Sequence, residues 1–195
     1  MRLSQSLTVI SFVGPSAAGK STALNALAQN YHVLQERYVE LNRHQLDNRL
    51  VLSKWAYIHY WFDAVLQAQN DGITFLLTDR CPLDTCAYVR DERSTLLAVL
   101  ITSMNELAAL GITVRKVLTT APFDVLKARI LSRLTTSPER ICYNEADDAH
   151  NRYAYDFYSQ QASLWDRVID TSEFSQSAVL PLFESVIADI RSTPR

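Results

Sequence analysis

The sequence predicts an α/β fold, a parallel sheet covered by helices, and two observations predict it. Short apolar or β-branched runs alternate with segments whose apolar residues recur at steps of three and four, the alternation that builds parallel sheets. The first apolar run leads directly into Gly14-Pro15-Ser16-Ala17-Ala18-Gly19-Lys20-Ser21. These eight residues fit G-x-x-x-x-G-K-[ST], a pattern that requires a strand before it and a helix after it.

Residues 7–13 supply the first strand. In the loop that follows, glycine hinges turn successive backbone N–H groups inward on a polyphosphate, Lys20 reaches the β- and γ-phosphate oxygens, and the Ser21 hydroxyl ligates Mg²⁺. A helix beginning at Lys20 adds its positive dipole end. Only four glycines occur in the chain and two stand at the required positions, so coincidence explains the match poorly. Residues 31–34 read as the second strand. Residues 44–69 place Leu46, Leu50, Trp55, Ile58, Phe62, Val65 and Leu66 at helical spacing, and Asp71-Gly72 ends what should be one long helix. The third strand is 73–78, and a helix over about 93–110 is closed by Gly111. The fourth strand is 112–118, helices follow over 122–134 and 146–164, a short strand at 168–169 comes next, and 175–191 forms the final helix.

With 195 residues, 48% of them hydrophobic, the chain is long enough for one substantial core, and no linker, repeat or low-complexity tract divides it. One domain spanning 1–195 is the expectation. A net charge of −2 argues against general nucleic-acid binding and for a small, locally gripped partner. Cys81, Cys86 and Cys142 form no C-x-x-C pair, which supports neither a disulfide framework nor a zinc site. Apolar runs fall far short of the ~18 residues a membrane span needs, so a soluble cytoplasmic protein is expected. Oligomeric state is left open, a homodimer included.

Parallel α/β sheets bind ligands beyond the carboxyl ends of their strands, which directs attention to Glu36 after the second strand and Asp79-Arg80 after the third. Asp79 suits Mg²⁺ binding or the orientation of an attacking hydroxyl, and it equally suits a helix cap. Arg80 offers a fork of donors to the acceptor. Glu36 is a candidate base, with Glu40 competing for that role. Arg129, Arg133 and Arg140 cluster around a Thr-Thr-Ser-Pro turn and read as a lid over about 133–147 that brings positive charge to a phosphoryl group, or as a solvated basic face. Trp55, Tyr57, His59, Tyr60, Trp61 and Phe62 crowd the long helix on nearly all sides, so the core must take some of them and an acceptor pocket others.

Together GPSAAGKST, which extends the loop to Thr22, LLTDRCPLDTCAYV, RILSRLTTSPER and VIDTSE make the chain resemble the thymidylate kinase and deoxynucleoside kinase branch of the phosphate-loop kinases. The resemblance covers most of the length. It implies a three-layer α/β/α P-loop NTPase fold with a five-stranded parallel sheet in the order 2-3-1-4-5 and an arginine-bearing lid. It also implies ATP and Mg²⁺ as cofactors, with transfer of the γ-phosphoryl group to a nucleoside, a nucleoside monophosphate or a similar small acceptor. The turn at Asp170, Thr171 and Ser172 would stand beside the adenine. The acceptor side departs from the family: Glu36-Arg37 has no nearby proline or glycine, Cys81 stands where an aromatic or histidine is common, and Asp79 replaces the nucleoside kinases' glutamate. A polynucleotide or modified-base kinase and a nucleotide-controlled regulatory ATPase are the rival readings.

Overall fold

The computed structural model describes residues 5–41, 46–47, 49–175 and 178–192. Strands β1 (Leu7–Val13), β2 (His32–Leu34), β3 (Phe75–Asp79), β4 (Ile112–Thr120) and β5 (Arg167–Asp170) form one sheet in the order β2-β3-β1-β4-β5. The sheet is parallel throughout, with helices on both faces. The central strand β1 is buried at every residue but Thr8, the pattern of a strand covered on both sides. The helices are α1 (Lys20–Leu27), α2 (Tyr38–Leu41), α3 (Trp55–Asn70), α4 (Arg93–Ala109), α5 (Phe123–Thr136), α6 (Asp148–Gln160) and α7 (Leu180–Ser192).

Two compact units make up the chain: Met1–Ser11 with Tyr31–Arg115, and Phe12–Asn30 with Lys116–Arg195. In the first, β2 pairs with β3 in the register Val33 to Leu77. The core of this unit includes Ile58, Trp61 and Val65 from α3 and Leu96, Leu100 and Leu107 from α4. The aromatic crowd of α3 is divided. Tyr57 and Trp61 are buried, whereas Trp55, His59 and Phe62 line an open groove with Val99 and Leu107 of α4.

The long helix expected over 44–69 is shorter, and 44–45 and 48 lie outside the described residues. Leu50 is extended, Val51–Lys54 forms a 3-10 turn, and α-helix begins only at Trp55. Local side-chain bonds compete with helix here. Asp47 accepts from the Arg49 amide at 2.9 Å, and Ser53 Oγ donates to the Leu50 carbonyl at 2.7 Å. The expected terminator holds, since Asp71 caps α3 and Gly72 takes a positive φ of 79°.

In the second unit β4 pairs with β5, Thr119 opposite Ile169. Phe12 stacks on Phe183 of α7 with ring centroids 4.6 Å apart, and Ala18 packs with Ala121 and Leu126. The helix expected over 146–164 is bounded more tightly. Asp147 accepts from the Ala149 and His150 amides and starts α6 one residue later, and a separate 3-10 turn, Ala162–Leu164, follows its end. The helix expected over 175–191 starts at Leu180, with 176–177 outside the described residues. Cys81 and Cys86 are buried free thiols, and burial pushes Cys86 up to about 12. The side chain of Cys142 lies outside the described set.

Gly14 has φ +136°, and a Cβ there would stand 2.1 Å from the Thr119 carbonyl oxygen, a backbone atom that cannot give way. Gly14→Ala should therefore cost about 2–4 kcal/mol, from strain and overlap together. Gly19, at φ +92°, meets only Val179 at an ordinary 3.5 Å, so Gly19→Ala should cost about 1–2 kcal/mol from the left-handed backbone alone. Urea titration of both variants checks the order and the gap.

Candidate functional site

The residues that the sequence analysis expects on the donor side lie in the second unit. Gly14, Ala17 and Gly19 all take positive φ, at 136°, 63° and 92°, and curl the chain between β1 and α1 into a tight loop. Pro15 and Ala18 are buried, Ser16 is partly exposed, and Ser21 and Thr22 are exposed on the first turn of α1. The Lys20 side chain turns back into this loop. It is 4% exposed, and its ammonium donates to the Gly14 carbonyl at 2.9 Å and the Pro15 carbonyl at 2.8 Å. Gly19 caps α1 without a side chain, so the helix start presents backbone N–H groups, the usual seat of an anion.

These residues fit a polyphosphate with Mg²⁺. The loop supplies turned amides and a buried ammonium, and Ser21 supplies an exposed hydroxyl. Mg²⁺ bound to a nucleotide takes most of its oxygens from phosphate and water. It therefore needs no cage of protein ligands, and the described residues contain no group of three His, Cys, Asp or Glu able to form one.

In the same unit Asp170 ends β5 and its carboxylate accepts from the Ser172 amide at 2.8 Å, closing a small turn. Thr171 is fully buried; its amide and hydroxyl both donate to the Thr120 carbonyl, at 2.8 and 3.1 Å. Arg129 braces this turn, donating to Thr171 Oγ1 (3.0 Å), the Thr171 carbonyl (2.5 Å) and the Phe174 carbonyl (2.9 Å). That engagement separates Arg129 from Arg133 and Arg140, with which its spacing had grouped it. The latter two converge on Glu145, each with a shortest contact of 2.7 Å. Glu145 is 6% exposed and had not been singled out in the sequence. An acid close behind an arginine-rich stretch does not by itself signal that it will be buried.

The residues that the sequence analysis expects on the acceptor side lie in the first unit. Asp79 is the last residue of β3 and 3% exposed. It does not cap the following turn. That task falls to Asp84, which accepts from the Cys81 amide and from Arg80 Nη1, both at 3.0 Å. Arg80 itself has φ +72°, an uncommon conformation for a non-glycine residue, and the Thr78 hydroxyl holds its carbonyl at 2.8 Å. Glu36 is half-buried, and Oε1 accepts from the Tyr38 amide at 2.5 Å. The competing Glu40 pairs with Arg37 at 2.5 Å on the surface.

Sequence reasoning passed over Lys54, which lies in the same unit and is 1% exposed. Its ammonium donates to Tyr38 Oη at 3.0 Å and stands 4.4 Å from the Tyr38 ring centroid. The Tyr38 hydroxyl passes the hydrogen bond on to Ser53 Oγ at 3.1 Å. Burial pulls Lys54 down to about 7 and pushes Tyr38 up to about 12.

The AAA domain family model matches residues 9–157. The chain belongs to the AAA domain family. No curated protein sequence matches this AAA domain. Among solved structures it is similar to deoxyadenosine kinase from M. mycoides with bound dATP, at 16% identity and a TM-score of 0.62, covering 92% of this chain and 98% of that one. The same kinase with products dCMP and a flexible dCDP gives 17% identity and a TM-score of 0.60, over 93% and 99% of the two chains. At such identity the likeness is one of fold.

Lys54 gives this AAA domain a pH signature. Its folded pKa lies below the unfolded value of ~10.4, so between about pH 7 and pH 10.4 the unfolded chain holds a proton that the folded chain does not. Stability should rise with pH across that window by up to ~1.4 kcal/mol per pH unit. Below it the full penalty remains. Lys54→Met should flatten the slope and stabilise the protein at pH 7, as measured by denaturant unfolding at a series of pH values.

Proposed function

We propose that the protein is an ATP- and Mg²⁺-dependent phosphotransferase that moves the γ-phosphoryl group to a small acceptor, a nucleoside or nucleoside monophosphate, within a single catalytic domain. The observation that carries this reading is the loop at 14–21, with its left-handed hinges and a buried Lys20 ammonium donating to the Gly14 and Pro15 carbonyls. A polyphosphate oxygen is a stronger acceptor for that ammonium than a neutral carbonyl, because both partners of the bond are then charged. The kinase fold of the similar structures supports the same reading, as does the adenine nucleotide that one of them holds.

Residues take these roles. The loop amides from Gly14 to Ser21, with Lys20, bind the β- and γ-phosphates, and Thr22 extends the helix start. Ser21 and Asp79 would hold Mg²⁺, which supplies charge neutralisation between the phosphate oxygens. The turn at Asp170, Thr171 and Ser172 borders the base, and Arg129 keeps that turn in shape. Arg80 binds the acceptor, and Glu36 takes the proton of its attacking hydroxyl. Arg133 and Arg140 leave Glu145 to stabilise charge on the transferring group. Two guanidinium groups against one carboxylate leave a positive balance that an anionic phosphoryl group attracts.

Incubation with γ-labelled ATP and a panel of nucleosides, nucleoside monophosphates and short oligonucleotides tests the reading. Label should pass to a small acceptor, and Lys20→Ala should lower that transfer by at least about 10³-fold, the scale lost with a main phosphate-binding group, with the fold intact by circular dichroism. Loss of ATP with no labelled acceptor would instead make the protein a nucleotide-controlled ATPase, and normal transfer by folded Lys20→Ala would sink the donor assignment.

A further inference from the structure

Helices α3 and α4 carry little charge for helices that meet solvent. Among the 16 residues of α3 and the 17 of α4 only Asp63, Arg93 and Glu106 are charged, well below the 21% of the whole chain. A helix with so little charge on any side is ordinarily covered by something. Between the two lies an open groove of about 410 Å³, which runs from Trp55 to Leu66 on α3 and from Val99 to Leu110 on α4. Trp55, Val99 and Leu110 on its walls are 46%, 47% and 49% exposed. Single apolar side chains at a surface are ordinary, whereas a continuous groove of them marks an interaction surface.

The hydroxyls of this face are already satisfied. Thr102 Oγ1 donates to the Ala98 carbonyl at 3.0 Å and Ser103 Oγ to the Val99 carbonyl at 3.1 Å, so covering α4 would strand neither donor. No Lys or Arg occurs within 55–70 or 94–109, and without basic residues along the face an anionic lipid surface has nothing to hold. What the groove offers is apolar area with one histidine, His59, and one glutamate, Glu106.

Those two residues are placed symmetrically. Helix α3 leads from β2 to β3 and α4 from β3 to β4 in a parallel sheet, so both run opposite to the strands and in the same direction as each other. His59 stands four residues after Trp55 at one end of the groove, and Glu106 four residues before Leu110 at the other. A two-fold axis across the groove turns a second copy end for end, and the partner's Glu106 then comes level with His59, twice over. A two-fold along the helices would instead bring the two Glu106 side chains level with each other. The face therefore complements itself in one orientation, as an isologous contact requires.

We propose that this groove is the interface of a homodimer in which two copies pack α3 and α4 face to face and antiparallel, His59 of each donating to Glu106 of the other. The helices are about 25 Å long and together about 20 Å wide, which gives roughly 500 Å² in projection on each partner. Stable interfaces bury about 600–1,000 Å² a side, so this one stands near the lower limit. The dimer is accordingly reversible, with a dissociation constant on the order of micromolar. None of this depends on the phosphotransferase reading.

Sedimentation equilibrium of the whole chain from about 1 to about 200 µM, a range that brackets a micromolar constant, measures the association. Wild-type protein should pass from the 22.1 kDa of one chain to twice that mass. Val99→Glu puts a charge on an exposed wall of the groove, and His59→Glu sets acid against acid. Each should weaken association by at least about tenfold, with the circular dichroism spectrum unchanged. Adding Glu106→His to His59→Glu reverses the pairing and should return the constant to within about threefold of wild type.

Folded wild-type protein that stays monomeric to the top of that range would leave the groove to a different partner and overturn the proposal. So would normal association of either single variant, which places the contact on another face, or a charge swap that restores nothing, which removes the antiparallel pairing.

Discussion

The carbonyl of Thr119 lies where a side chain on residue 14 would have to go, and the phosphate loop takes its shape from that close approach. The chain must leave β1 as glycine, with a positive φ, and only then can the next residues curl back over the start of α1. The curl brings the carbonyls of Gly14 and Pro15 to within hydrogen-bond distance of the Lys20 ammonium. A buried lysine would otherwise be expensive. Here the loop's own carbonyls satisfy the lysine, so the charge is held in place inside the curl. Ala17 takes the left-handed conformation without a glycine's freedom, a small strain of the kind that folds tolerate at binding loops.

Cationic side chains elsewhere are likewise given internal partners, and the partners differ in what they allow. Arg129 donates to two backbone carbonyls and a buried threonine hydroxyl. Those acceptors are neutral and fixed by β5, so the arginine acts as a brace. Arg133 and Arg140 share a single buried carboxylate. Their partner is charged and buried, so each guanidinium is held by an ion pair that is costly to leave unmade. The same residue type thus braces backbone carbonyls at one position and pairs with a carboxylate at two others, a distinction that the partners make and the spacing does not.

Much of the fold was legible because its signals are local. Alternating apolar runs marked all five strands, Gly72 and Gly111 marked helix ends through their positive φ, and the octapeptide located β1, the loop and α1 together. Errors arose where side chains bond to nearby backbone. Asp47 and Ser53 replace the first turns of the long helix with a 3-10 turn, and Asp147 shifts the start of α6. Periodicity registers which residues are apolar and is blind to such bonds. The arginines were legible as a cluster, but Glu145 was not, since an acid in a charged stretch gives no sign that it will be buried beneath two guanidinium groups.

The donor and acceptor sides differ in legibility for a physical reason. A polyphosphate is recognised chiefly by backbone amides, and forcing a backbone into one curve restricts the sequence to a short, contiguous pattern. A small acceptor is recognised by side chains, which can come from anywhere the fold brings together. Tyr38, Lys54 with Tyr57, and Tyr88 belong to three different stretches of chain and match no motif, and a lysine in a helical stretch reads as surface. Only burial reveals that Lys54 has been moved from the class of solvated charges to that of poised ones. What identifies it is the removal of water from a group whose ordinary reason for being charged is water.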